Sequence, residues 1–468
     1  MSYYENFNKF GEKIAAIQED GQTITYFELE EYAKKIKAVI PARSLVVNFC
    51  KNAIGSMVNY LSFLNGRIVP LMLDCEINEE LADQLIGIYK PQFISVPEEK
   101  SERYNGYEEI FREYGYIIYK TDFDIVYPLY DELALLLTTS GSTGSPKLVR
   151  QSYTNIQSNA EAIVKYLELD DTERPITTLP KNYSYGLSIV NSHMQVGATM
   201  LLTTKTVVSK DFWTFMKDEK ATSFGGVPYT YEMLKRIRFF RIDLPELRYM
   251  TQAGGKLAPE LHKEFAEYAM EHGKKFIVMY GQTEATARMA YLPADKAVEK
   301  YGSMGIEIPG GSFHLVDVNG NDITEPDVVG ELVYYGDNVT LGYAENGDDL
   351  AKGDERNGCL ETGDMAKRDL DGYYYIVGRK KRFLKLFGNR INLDEIDRMI
   401  KKEYNSMDCA SSGTDELMKI YITDESLIAQ VEDLIADRTH INNRAFEVVA
   451  IDKIPRNEAG KVLYKDLP

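Results

Sequence analysis

The chain has 468 residues, with 54 Lys+Arg against 72 Asp+Glu and a formal net charge of -18. Hydrophobic residues make up 44% and charged residues 27%, ordinary globular usage, and the length allows two to four domains of roughly 100–200 residues each. That balance excludes an extended nucleic-acid- or anionic-membrane-binding protein, while leaving room for a local basic pocket that takes a small phosphate ligand.

No basic stretch followed by an apolar one heads the chain, and no apolar run approaches the ~20 residues of a membrane span. A cytoplasmic protein without a secretory leader is the expectation. Leu29, Ala33, Ile36 and Ile40 recur at three and four, predicting an amphipathic helix over 28–40, followed by a strand over 44–50. A buried strand over 133–137 leads into a Gly/Ser/Thr loop and a helix over 155–166. Pro259 near a first turn and Gly273 just past the last one bracket a further helix, and FIVMY (276–280) is a strand opening into GQTEA. After about residue 300, glycine-separated short strands (GELVYYG, DGYYYIVG) predict an antiparallel unit. GRKKRFLKLFGNR (378–390) carries six basic residues and no acidic one. Beyond it come helix 394–404, strand 418–423, helix 425–437 and strand 446–451. The alternation reads as α/β: a large N-terminal domain (1–380) of mixed sheets flanked by helices plus a β-rich subdomain, then a small mobile α+β domain (381–468). Cys50, Cys75, Cys359 and Cys409 form no CxxC pair, and the five histidines show no HxxxH spacing, so no disulfide framework or zinc site is expected.

Four stretches carry chemistry. TTSGSTGSPK (138–147) follows a strand; its small residues let N–H and O–H donors converge on phosphate oxygens, with Lys147 adding charge, although GxxxxGK[ST] cannot be laid on it. YGQTEA (280–285) sits at a strand end, where Tyr280 offers a face for a purine and Glu284 a carboxylate for Mg2+ shared with phosphates. In ETGD (361–364), Asp364 suits a ribose diol, and IPRNEAGKVLYKDL (454–467) presents Lys461 beside a glycine. Each has an ordinary reading alone: a surface loop, a strand-end turn, a plain turn, an exposed terminal lysine.

Together, in this order, they resemble the adenylate-forming superfamily of acyl- and aryl-CoA synthetases, peptide-synthetase adenylation domains and firefly luciferase. TYFELEEYAKKI (25–36), GRIVPLMLD (66–74), FGGVPYTYEML (224–234), TQAGGKL (251–257), GELVYYGDNVTLGY (330–343) and DGYYYIVGRKKRFLKLFGNRINLDEID (371–397) extend the likeness over nearly the whole chain. The resemblance implies that Thr139, Ser140, Gly141, Ser142, Thr143, Gly144 and Lys147 clamp the ATP phosphates. It implies that Tyr280 stacks on adenine opposite Gly254 and Gly255, with Gly281 and Gln282 beside it. Glu284 matches the Mg2+ ligand, Asp364 the ribose aspartate with Arg379 and Ile376 nearby, and Lys461 the lysine bridging acyl carboxylate and α-phosphate. Thr283 joins Lys147 and Lys461 in the catalytic set. Lys381 sits at the hinge and Gly388 in the loop facing the thiol. The implied reaction makes acyl-AMP and pyrophosphate from ATP, then transfers the acyl group to a phosphopantetheine thiol.

The implied acyl pocket comprises Tyr183, Ser184, Val227, Gln252, Ala253, Met279 and Ala285. No aspartate in LPKNYSYGLSIVNSH (179–193) stands ready for an α-ammonium, which argues against an α-amino acid. Tyr183 replaces a common gating histidine, and Ser184 replaces the asparagine of 2-hydroxybenzoate-type enzymes. The acceptor is coenzyme A or, alternatively, a holo-acyl-carrier protein; the basic run 379–390 would suit an acidic carrier protein or the phosphates of coenzyme A, and a solvated charged face reads its outer members equally well. An inactive nucleotide-binding homologue would be expected to lack Lys461, Glu284 or Asp364, and all three are present.

Overall fold

In the computed structural model of the chain, residues 2–138, 147–386, 389–404, 407–414, 417–439, 442–456 and 462–468 are described. The side chains of 381, 383, 385, 386, 389, 390 and 443 lie outside that description. The chain divides into two units, Met1–Ser312 with Tyr334–Leu360, and Phe313–Val333 with Glu361–Pro468.

The first unit is built on two mixed sheets flanked by helices. In one, Ile14–Gln18, Met200–Leu202, Pro175–Ile176, Ser223–Gly226, Tyr249–Gln252 and Lys275–Tyr280 lie side by side and run parallel. In the other, Phe93–Pro97, Leu45–Cys50, Val69–Asp74 and Leu133–Thr138 run parallel, with Leu148–Ser152 and then Gly342–Ala344 added antiparallel. Leu45–Cys50 is buried along its whole length, as expected of a parallel strand covered on both faces. The predicted helices appear with shifted ends for identifiable reasons. Thr25 and Glu28 form a capping box, so the helix spans Tyr26–Val39, burying Leu29, Ala33 and Ile36. Ser152 and Asn155 form another, so the next helix starts at Tyr153 rather than 155. A continuous buried cluster joins Leu29 and Ile36 to Met57 and Leu61 of the helix Ile54–Asn65, and on to Leu135, Leu187 and Met200.

In the second unit, the Asp364–Arg368 part of the strand Cys359–Arg368 pairs antiparallel with Tyr374–Arg379, placing Asp364 opposite Arg379. A hairpin, Phe383–Leu386 with Asn389–Asn392, precedes the helix Leu393–Glu403. A three-stranded sheet of Cys409–Gly413, Met418–Ile422 and Phe446–Ala450 follows, packed with the helix Ile428–Thr439 around Ile396, Ile400, Ile420 and Val431. The hairpin and the strand Cys409–Gly413 were not anticipated. CASSG has little intrinsic strand preference, and its pairing with Met418–Ile422 supplies what propensity does not. The expected helix 425–437 begins with a 3-10 turn, Glu425–Leu427, capped by Asp424, and becomes α-helical at Ile428.

Candidate active site

Three parallel strands end together at one edge of the first sheet. Gly226 pairs with Gln252, and Gln252 with Val278, so the segments after Gly226, Gln252 and Tyr280 leave the sheet side by side. Ligands of α/β sheets bind outside such carboxyl ends. This brings Val227, Gln252, Ala253, Gly254, Gly255, Tyr280 and Gly281 into one neighbourhood. Gly254 has φ +81, and a Cβ there would stand 2.4 Å from Tyr183 Oη and 3.1 Å from Val227. Gly281 is required by close approach, since a Cβ would meet the Ala287 carbonyl oxygen at 1.5 Å. Gln282 Nε2 donates to Tyr280 Oη at 3.2 Å.

Past Gly281 the chain makes a tight turn, Thr283–Ala285, and then two consecutive non-glycine residues take left-handed backbone: Thr286 at φ 52 and Ala287 at φ 95. Such conformations cost roughly 1–3 kcal/mol each and persist only where surroundings impose them. Asn338 does so here, donating from Nδ2 to the carbonyls of Ala285 (2.8 Å) and Arg288 (2.9 Å), while Thr286 Oγ1 donates to the Asn338 carbonyl at 2.8 Å.

Glu284 projects from this turn. Tyr343 Oη donates to its Oε1 at 2.7 Å, and its carbonyl accepts from Thr340 Oγ1 at 3.0 Å and Arg356 Nη1 at 3.3 Å. Burial beside Glu284 pushes the Tyr343 hydroxyl up to about 12, so it remains a donor at neutral pH. The face of the same ring carries Lys147 Nζ, 3.6 Å from the centroid, and the Arg356 guanidinium at 4.8 Å; Lys147 also lies 3.6 Å from Glu345 Oε1. Tyr343 thus gathers a carboxylate and two cations from three distant stretches of sequence. Thr283 Oγ1 is 3.1 Å from Ser184 Oγ, and its carbonyl accepts from Gln151 Nε2 at 3.3 Å.

Val227, Ala253 and Met279 share one apolar cluster with Tyr185 and Tyr249, with Tyr183 packed against it. Gln252 is buried and donates to the carbonyls of Ala253 (3.1 Å) and Gly255 (2.9 Å). Ala285 is buried as well. Lys181 fixes the segment bearing Tyr183 and Ser184: burial pushes its ammonium down to about 8, and it donates to the Lys51 carbonyl at 2.5 Å.

In the second unit, Arg379 Nε lies 2.7 Å from Asp364 Oδ1, and the Asp364 amide donates to Thr362 Oγ1 at 3.0 Å. Ile376 pairs with Ala366 on the same two strands. Lys381 lies in the turn Lys380–Arg382. Arg382, directly after it, is held by Asp394, by Asp397 at 2.7 Å and by the Ser411 carbonyl at 2.8 Å, and its guanidinium lies 3.9 Å from the Tyr464 ring. Burial raises the Asp397 carboxyl to about 6 against the pull of Arg382. Three cations of the basic run are therefore committed within this unit: Arg379 to Asp364, Lys380 to Glu331 at 2.5 Å, and Arg382 to the two aspartates. Thr139, Ser140, Gly141, Ser142, Thr143, Gly144, Gly388 and Lys461 lie outside the described residues.

The sequence pattern did not single out Tyr343, Arg356, Asn338 or Arg288. Arg288, eight residues after Tyr280, was the one with a readable signal: a charged residue within three positions of an apolar-pocket candidate.

This arrangement is that of a nucleotide-using α/β enzyme, and the chain belongs to the AMP-binding enzyme family, whose model matches residues 83–344. It is similar to the oxalate–CoA ligase of Arabidopsis thaliana, 28% identical over 347 residues that cover 71% of this chain and 66% of that protein. It is also similar to the 2-succinylbenzoate–CoA ligase of Oceanobacillus iheyensis, 25% identical with 97% of this chain and 96% of that protein covered. The fold matches that of the O-succinylbenzoate coenzyme A synthetase from Bacillus subtilis in complex with ATP and magnesium ion, with a TM-score of 0.81 and 20% identity, covering 100% of this chain and 99% of that one. Among the described residues no helix is long and apolar enough to cross a membrane, and no three His, Cys, Asp or Glu side chains cluster as a metal site.

Proposed function

We propose that this chain is an acid–thiol ligase that activates a carboxylic acid with ATP, releasing pyrophosphate, and transfers the acyl group from AMP to coenzyme A. The observation that carries the reading is the meeting of Lys147 and Glu284 on Tyr343, at the edge where Tyr280 leaves the sheet. That combination offers an ammonium for phosphate oxygens, a hard oxygen ligand for a cation and an aromatic face for a base within one neighbourhood. The naming of the relatives as CoA ligases supports coenzyme A as acceptor.

In this reading the acid's carboxylate attacks the α-phosphorus and pyrophosphate leaves; the thiol then attacks the acyl carbon and AMP leaves. The first step drives an anion toward an anion, so cations held where water is excluded matter most. Lys147 would hold β- and γ-phosphate oxygens with the loop 139–144. Tyr280 would stack on adenine between Gly281 and the Gly254–Gly255 turn, and Asp364 would accept from the ribose diol with Arg379 setting its rotamer. Thr283 and Ser184 would position the reacting carboxylate. Glu284 fits Mg2+, since it is a carboxylate with one oxygen oriented by Tyr343 and is near a phosphate-directed lysine; the ion would neutralise phosphate charge there. Lys461 would carry the charge for acyl transfer to phosphate. Residues 381–468 would reorient about Lys381 to bring Gly388 to the thiol, with Arg382 clamped to Asp394 and Asp397 marking where the moving part begins.

The test is ATP–pyrophosphate exchange over a panel of acids with the full chain, followed by mass analysis of products with coenzyme A and with a holo-acyl-carrier protein. AMP and an acyl-CoA are expected. An acylated carrier without acyl-CoA would reassign the acceptor; ADP as product would overturn the reading.

A further inference from the structure

Two arginines in the first unit are fully buried, and their surroundings differ in kind. Arg150 is charge-paired with Glu355 at 2.5 Å and donates to the carbonyls of Tyr343 (3.0 Å), Leu341 (3.1 Å), Gly353 (3.2 Å) and Lys352. Arg288, 1% exposed, has no carboxylate within salt-bridge distance among the described residues. Its Nε donates to Ser188 Oγ at 3.1 Å and its Nη1 to Tyr166 Oη at 3.0 Å; Nη1 also touches the Met279 sulfur, and Tyr185 lies 4.5 Å beneath the guanidinium. A guanidinium has five N–H donors, and a buried charge is ordinarily paired. Arg288 is instead held by two hydroxyls, a thioether and an arene.

Its position is enforced rather than incidental. The left-handed pair Thr286 and Ala287 delivers it, and its carbonyl accepts from Asn159 and Asn338, both at 2.9 Å. It lines a small cavity with Ser192, His193, Tyr249 and Thr251, of about 10 Å3, room for one water, with no acidic residue in the lining. His193 adds no charge: its Nδ1 faces the Ile189 carbonyl and its Nε2 the Tyr249 hydroxyl, both at 2.8 Å, and burial pushes it down to about 4. Ser188 is one helical turn, about 6 Å, along from Ser184, whose hydroxyl meets Thr283. The guanidinium therefore meets this helix one turn along from the place proposed for the reacting carboxylate. Met279, whose sulfur touches the guanidinium, is an unbranched side chain that yields readily.

We propose that Arg288 receives a second, non-reacting carboxylate, and that the acid activated by this chain is a short dicarboxylic acid held at one end by Thr283 and Ser184 and at the other by Arg288. This rests on the adenylate-forming reading above. A bidentate carboxylate would satisfy the donors that the protein leaves to neutral groups, while the matched monocarboxylic acid would place a methyl against an unpaired charge.

The test measures pyrophosphate exchange by the full chain with malonate, succinate, glutarate and adipate, each against propionate, butyrate, valerate and hexanoate respectively, for wild type, Arg288→Met and Arg288→Lys. Thermal denaturation is run with each acid. Wild type is expected to favour at least one dicarboxylate by on the order of 10²-fold in kcat/KM, the discrimination expected for a charged hydrogen-bonded pair. Arg288→Met should reverse that preference with the KM for ATP unchanged, Arg288→Lys should fall between, and the favoured diacid should raise the Tm of wild type more than its monoacid does. Preference for monocarboxylates at every length, or a ratio that Arg288→Met leaves unaltered, overturns the proposal while leaving adenylation standing. No exchange with any of the eight acids but a diacid-specific rise in Tm keeps the anion site and counts against adenylation. The absence of both signals overturns the dicarboxylate proposal, and exchange over the wider acid panel then decides the adenylation reading separately. Should Arg288→Met fail to fold, Arg288→Lys and the wild-type shifts decide.

Discussion

Asp364→Asn separates ribose recognition from structural support. The Asp364 side chain is 4% exposed, but that of Arg379 is 50% exposed, and a pair open to solvent on one side contributes about 0–1 kcal/mol to folding. The variant should therefore fold. Two vicinal hydroxyls donating to a carboxylate make two charge-assisted bonds of roughly 1.5–3 kcal/mol each, against roughly 0.5–1.5 kcal/mol for a neutral amide. The difference sums to roughly 2–3 kcal/mol, or about 30–160-fold in kcat/KM for ATP. Pyrophosphate exchange with ATP, 2′-deoxy-ATP and 3′-deoxy-ATP reads this directly. Wild type should lose about 10–160-fold per hydroxyl removed, and the variant at most about 13-fold. Equal deoxy penalties in the two proteins would refute the reasoning, and so would a loss of activity matched by a fall of several degrees in Tm.

Tyr343→Phe removes the bond to Glu284 but keeps the ring beneath Lys147; an orienting partner of this kind is worth roughly 10–100-fold in apparent Mg2+ affinity, read by titrating exchange with the ion. An unchanged Mg2+ dependence would contradict it. Lys461→Ala should cost about 10²–10³ in adenylation while sparing thioester formation from synthetic acyl-AMP, and equal loss of both would sink the two-pose account. His193 and His262 are both pushed down by burial to about 4. Unfolded imidazoles take up a proton below about 6.5 and these folded ones only below about 4. Each therefore costs stability as pH falls through that window, roughly 3 kcal/mol by pH 4, and nothing above it. Urea midpoints should drop accordingly from pH 7 to 4.5, and His262→Gln should flatten the drop; a pH-independent midpoint would contradict it.

Much of the fold is legible in the residues themselves. Leu29, Ala33 and Ile36 state a buried helical face at 3.6-residue spacing, and LVVNFC states a strand covered on both sides. Those patterns work because burial acts on each residue's own side chain. Helix ends were misjudged by a few residues at Thr25 and Ser152, where side-chain caps set the start. The strand Cys409–Gly413 was missed because its partner, not its composition, makes it a strand.

The site divides in the same way. The ordered motifs TTSGSTGSPK, YGQTEA, ETGD and PRNEAGK carry the resemblance to the family, because each is a short contiguous stretch of particular residue types. The net charge of -18 is compatible with the few cations that the motifs place locally. Only the tertiary structure decided that Tyr343 joins Lys147 to Glu284, that Arg379, Lys380 and Arg382 are committed to nearby carboxylates, and that Arg288 is buried without one. Electrostatic partners are chosen by distance in space, across separations of up to about 200 residues here, and no local pattern of sequence carries that information.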